Sequence, residues 1–158
     1  MQSSSGTPET SRVFISYSHS ERDAVWRERV LEHLGVLKQQ GLIDLWDDTQ
    51  IGAGDDWYDK IHTAMLSSRV AVLLVSPAFL NSGFILKEEV PKLFDQHKSD
   101  GMRIVPVLIR DAPWQQVPWL AAIQMRPGST PVASMEDRHI DPALAKIANE
   151  IATMCRGA

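Results

Sequence analysis

The run Val70-Ala71-Val72-Leu73-Leu74-Val75 is apolar at every position and stops at Ser76-Pro77. A run this short cannot cross a bilayer, which takes about 20 apolar residues, and its β-branched content favours strand over helix. A strand apolar on both sides must be covered on both faces, which is the condition of a central strand in a parallel sheet flanked by helices. The rest of the chain has to supply that cover.

It does so by alternation. Val13-Phe14-Ile15-Ser16-Tyr17 reads as a first strand, and Ser18 to Asp23 as a polar loop rich in helix-capping residues. Val25, Val30, Leu34 and Leu37 then recur at roughly helical spacing up to Gly41, which marks an amphipathic helix. Leu42 to Trp46 is a second strand, Asp47 to Asp56 a glycine-containing loop, and Ile61, Met65 and Leu66 mark a helix starting near Trp57. After the central strand, Phe84 to Lys98 reads as helix, Met102 to Ile109 as a further strand, and Asp111 to Gly128 as loop with a helical turn around Trp119 to Ile123. Pro131-Val132-Ala133 is a candidate edge strand, and Asp141-Pro142 a start for a last helix carrying Leu144, Ile147 and Ile151. Strands and helices in this order give right-handed crossovers and a flavodoxin-like open parallel α/β sheet of about five strands. In such sheets ligands bind beyond the carboxyl ends of the strands, so the loops after Tyr17, Trp46, Val75 and Ile109 are where function is to be sought.

Composition narrows the function. The chain of 158 residues suits one domain, with 1–11 expected as a polar flexible leader and 12–158 as the folded unit. Lys and Arg total 16 against 20 Asp and Glu, a formal charge of -4, which argues against nucleic-acid and membrane-surface partners. One cysteine, Cys155, allows no internal disulfide, and a cytoplasmic setting is expected. No Walker loop, Gly-x-Gly-x-x-Gly turn, Gly-x-Ser-x-Gly elbow or His-Glu-x-x-His pair occurs, and the five histidines lack ligand spacing, so no metal is assigned. What remains is a set of carboxylates near strand ends: Asp44, Asp47, Asp48, Glu88 and Glu89.

Phe14-Ile15-Ser16-Tyr17-Ser18, Leu45-Trp46-Asp47-Asp48 with Gly52-Ala53-Gly54-Asp55, Val72 to Pro77, Phe84-Ile85 leading into Glu88-Glu89-Val90-Pro91, and Ile104 to Ile109 followed by Trp114 come in the order that resembles the Toll/interleukin-1 receptor (TIR) domain. The resemblance spans Arg12 to Met154, and its Phe84-to-Pro91 stretch is similar to the bacterial branch. It implies one of two roles. Many bacterial and plant TIR domains cleave NAD+ to nicotinamide and ADP-ribose or cyclic ADP-ribose, while animal receptor and adaptor TIR domains are non-catalytic interaction modules. The first implies an NAD+ nucleosidase in antiviral defence or signalling, with NAD+ as substrate, no cofactor, and other TIR domains as partners. A receiver-like domain is disfavoured, since its central strand would end on an aspartate rather than Ser76-Pro77.

The resemblance also implies the site. The bacterial pattern sets the catalytic glutamate before an aliphatic-proline pair, which is Glu89; the plant pattern sets it four residues after the aromatic, which is Glu88. Glu89 is preferred, because its context matches more residues and neighbours on a helix diverge by about 100°. Ser16, Tyr17, Trp46, Asp47 and Ser76 are the implied substrate contacts, beside plain structural roles: core edge for Tyr17, core for Trp46, a turn for Ser76. The loop with Gly52, Gly54, Asp55 and Trp57 is the implied assembly surface, through which head-to-tail contacts can complete a site between subunits.

Overall fold

The computed structural model describes residues 11–47, 63, 67–82 and 101–157. Their elements are β1 (Ser11–Ser16), α1 (Glu21–Gln39), β2 (Ile43–Asp47), β3 (Ser68–Val75), α2 (Pro77–Leu80), β4 (Arg103–Leu108), α3 (Pro118–Ala121) and α4 (Asp137–Gly157), with single 3-10 turns at Trp114–Gln116 and Val132–Ser134. The helices expected near Trp57 and over Phe84 to Lys98 lie outside the described residues.

The four strands form one parallel sheet in the order β2-β1-β3-β4. The chain runs outward to β2 on one side of β1 and returns to β3 on the other, so the switch of direction falls between β1 and β3. β3 is central and buried almost throughout, as its apolar run requires.

Strict alternation sorts the strands' side chains onto two faces. Val13, Ile15, Val70, Val72, Leu74, Val105, Val107 and Ile109 face α1 and α4, where Val30, Leu34 and Leu37 meet Leu144, Ile147 and Ile151. Phe14, Ala71, Leu73, Val75, Ile104 and Leu108 face the other way, onto Phe79, Leu120 and Met125, with Trp46, Trp114 and Trp119 packed around them. α1 closes where Gly41 takes φ 72°, a left-handed turn that a side chain disfavours. The Leu42 N–H then donates to the Leu37 carbonyl at 2.9 Å and leads the chain into β2.

Three expectations need correction. Val25 is 52% exposed and takes no part in the core: the buried stripe of α1 is Asp23, Val30, Leu34 and Leu37. Pro131-Val132-Ala133 is no strand, because residues 132–134 form the 3-10 turn and Ala133 N–H donates to the Ile109 carbonyl at 3.0 Å. The place of a fifth strand beside β4 is held instead by a one-residue bridge. Leu108 N–H donates to the Arg126 carbonyl at 2.8 Å, and Arg126 N–H to the Pro106 carbonyl at 3.0 Å. Pro106 fits there, since its missing N–H falls on the sparsely paired outer side of β4. The last helix begins at Asp137, with Pro142 inside it. Its first turn is held to α1 by buried Ile140, by Arg29 contacts to Asp137 (3.4 Å) and Asp141 (3.5 Å), and by His33 to Asp141 (3.0 Å).

Candidate functional site

The start of α1 and the carboxyl ends of β3 and β4 are joined by a polar cluster of which the sequence singled out Ser76 alone. Asp23, in the first turn of α1, and Ser76, directly after β3, are both fully buried. Ser76 Oγ donates to Asp23 Oδ2 at 2.5 Å, and Arg110, just beyond β4, donates from Nε to Asp23 Oδ1 at 2.7 Å. Each carboxylate oxygen thus has a strong donor, and one of them is charged, which is the condition for keeping an ionised carboxylate out of water.

Ser76 also caps α2: its Oγ accepts from Phe79 N–H at 3.0 Å, and Pro77 takes the first helical position, where no N–H is needed. The Ser76-Pro77 pair that stops β3 therefore starts a short helix and anchors α1. Its hydroxyl proton is committed to Asp23 and one lone pair to a backbone donor, so a ribose hydroxyl is left only the second lone pair of a fully buried oxygen.

Ser20-Glu21-Arg22-Asp23 has the spacing of a capping box, in which the fourth residue turns back to the cap. The structure shows a plain N-cap and neither bond of that motif: Asp23 N–H donates to the Ser20 carbonyl at 3.1 Å. Ser20 Oγ accepts from Arg22 N–H at 3.2 Å, but Ser20 N–H is taken by Ser18 Oγ at 3.0 Å, and Asp23 points into the protein. A carboxylate that looked like a surface cap is the most deeply buried charge in the described structure.

The other expected site residues fall on both faces. Tyr17 is 6% exposed on the α1 side, with the Arg27 guanidinium 4.9 Å from its ring centre and His19 edge-on at 5.4 Å. Arg27 also donates to the Ser18 carbonyl at 3.2 Å, so it clasps the loop that leaves β1. Ser16 is buried and pairs in register with Leu73, hence it points to the opposite face with Phe14. Trp46 shares that face, half-buried, its ring 5.2 Å from Phe14. Asp47 ends β2 beside Ile15, on the α1 side. Glu88, Glu89 and the loop residues Gly52, Gly54, Asp55 and Trp57 lie outside the described residues. Among the described residues there is no group of three His, Cys, Asp or Glu side chains that could hold a metal, and no helix long and apolar enough to cross a membrane.

An open parallel sheet whose strand order reverses between β1 and β3, with loops converging on its carboxyl edge, defines a flavodoxin-like α/β domain of the kind that binds ligands at that edge. The chain belongs to the TIR domain family, whose model matches residues 13–139.

An uncharacterized protein of Sinorhizobium fredii is 29% identical over 139 residues, covering 88% of this chain and 42% of its own length, so the chain spans less than half of that relative. The fold is similar to the TIR domain of the Toll-related receptor TRR-2 of Hydra magnipapillata, at TM-score 0.54 and 17% identity over 89% of this chain and 96% of that one. It is also similar to the TIR domains of the activated Roq1 resistosome that recognizes the effector XopQ, at TM-score 0.51 and 20% identity over 89% and 84%. The RPS4 and RRS1 TIR heterodimer gives TM-score 0.51 and 16% identity over 91% and 99%.

Proposed function

We propose that this chain is an NAD+ nucleosidase, cleaving NAD+ and water to nicotinamide, ADP-ribose and a proton, or NAD+ alone to nicotinamide, cyclic ADP-ribose and a proton, with an adenine nitrogen taking the place of water. The observation that carries the reading is Glu88-Glu89-Val90-Pro91 in a TIR chain, in the segment between β3 and β4. Breaking the bond between ribose and nicotinamide leaves an oxocarbenium-like cation, which a carboxylate stabilises directly. Nicotinamide departs neutral, so no general acid is required, and Glu89 alone supplies the charge. Ser16, Tyr17, Trp46 and Asp47 lie at the carboxyl ends of β1 and β2 and Ser76 at that of β3, and these are the proposed substrate contacts. No cofactor is required, and the setting is the cytoplasm, in defence or signalling.

Assembly belongs to the same reading. Two of the similar structures are TIR assemblies, a resistosome and a heterodimer, and they support association between TIR domains; the loop of Gly52, Gly54, Asp55 and Trp57 is the surface proposed for it. They also favour the second reading, a TIR module that acts by association alone.

The test is nicotinamide release from NAD+ at low and high protein concentration, for the wild type, Glu89→Ala and Glu88→Ala. The hydrolase reading expects release that rises more than proportionally with concentration and vanishes with Glu89→Ala. Loss with Glu88→Ala alone moves the role by one residue. A wild type that stays silent when concentrated favours the module.

A further inference from the structure

Among the described residues, Arg110 is held at one nitrogen and open at the others. Its Nε is fixed on the fully buried Asp23 at 2.7 Å, whereas no terminal Nη donor has a partner among the described residues, and the side chain is 21% exposed. Its backbone sits beside Val75, whose carbonyl accepts from Ile109 N–H at 3.0 Å. From there the side chain reaches across the end of β3 to the first turn of α1, at the edge where the strand order reverses.

A guanidinium oriented at Nε by a buried carboxylate has lost its rotational freedom and presents its two terminal nitrogens as a fixed fork. Such a fork matches the paired oxygens of a phosphate or diphosphate, and orientation in advance lowers the cost of binding. Asp23 is in turn fixed by Ser76, so the fork is tied to the end of the central strand.

We infer that Arg110, oriented by Asp23, is the subsite for the diphosphate of a dinucleotide at the carboxyl edge of the sheet. The inference rests on the NAD+ reading for the identity of the ligand, and its geometry on Asp23, Ser76 and Arg110. Asp23 acts here as a positioning residue and does not touch the ligand.

The test is calorimetric binding of ADP-ribose, which carries the diphosphate, against adenosine, which does not, alongside NAD+ cleavage. Removing Arg110 alone would strand a buried carboxylate, so the variants are Arg110→Lys, which keeps a charge for Asp23 but loses the planar fork, and the double change Asp23→Asn with Arg110→Gln, which removes both charges together. Thermal melting checks that each variant is folded. The expected result is a roughly tenfold loss of ADP-ribose affinity in both variants, with adenosine binding unchanged and, in cleavage, a rise in KM larger than any fall in kcat. ADP-ribose affinity equal to wild type in folded variants, or a wild type that binds adenosine as well as ADP-ribose, overturns the subsite. ADP-ribose bound through Arg110 with no cleavage of NAD+ leaves the subsite standing and removes only the hydrolase reading.

Discussion

The two ends of the sheet carry the same three residue types in opposite arrangements. At the amino edge Arg12 is the hub: its Nε donates to Asp44 at 3.2 Å and its Nη1 to Ser67 at 2.7 Å, in the open, with the Arg12 and Asp44 side chains 34% and 53% exposed. At the carboxyl edge Asp23 is the hub, fully buried, receiving Arg110 and Ser76. Exposure decides what each cluster is worth. An exposed pair exchanges hydration for a contact of similar strength and is screened by salt. A buried carboxylate has no water to return to, so its two donors are obligatory, and they fix three chain segments to one another. The amino edge fastens neighbouring strands. The carboxyl edge holds a defined geometry at the place where an α/β sheet binds its ligand.

Removing one member of each cluster in turn puts this contrast to the test. Asp23→Ala strands the Arg110 charge and the Ser76 hydroxyl and should cost about 3–5 kcal/mol of unfolding free energy, read from urea denaturation. Ser76→Ala loses the α2 cap and one donor to Asp23 and should cost about 1–3 kcal/mol by the same measurement. Arg12→Ala should cost about 0–1 kcal/mol, shrinking further in high salt, while the loss at Asp23 stays nearly constant. Equal losses at Asp23 and Arg12 would break the comparison.

A smaller effect lies between α1 and α4. His33 first, then Arg29, hold the Asp141 carboxyl below its ordinary value of 3.8, against some desolvation. A carboxylate with a lowered folded-state value adds stability above that ordinary value and loses it as the pH falls through it and below. The stability gap between wild type and Asp141→Asn should therefore be open near neutrality and close below about pH 4, as acid denaturation followed by circular dichroism would show.

The sheet was legible because its strands are short, β-branched and apolar, and Val70 to Val75 announces a doubly covered strand by itself. Gly41 and Ser76-Pro77 marked element ends correctly for local reasons. The errors came where a local pattern has two physical meanings. Pro142 after Asp141 reads as a helix start, yet side chains from α1 secure a turn before it. Val25 fits a loose helical period, but the true stripe toward the sheet includes Asp23 instead. Asp23 itself imitates a capping-box residue, and only its long-range partners, 53 and 87 residues away in sequence, reveal its role. Of the expected contacts, Tyr17 and Trp46 went to opposite faces of the sheet, a division that follows from strand alternation once the register is known.

The most direct trial of the account is the rate of nicotinamide release from NAD+ by concentrated protein, measured for wild type, Glu89→Ala and Arg12→Gln together. The account predicts that wild type and Arg12→Gln release nicotinamide at similar rates and that Glu89→Ala releases none. Release that survives Glu89→Ala, or that is lost with Arg12→Gln in a folded protein, would contradict it.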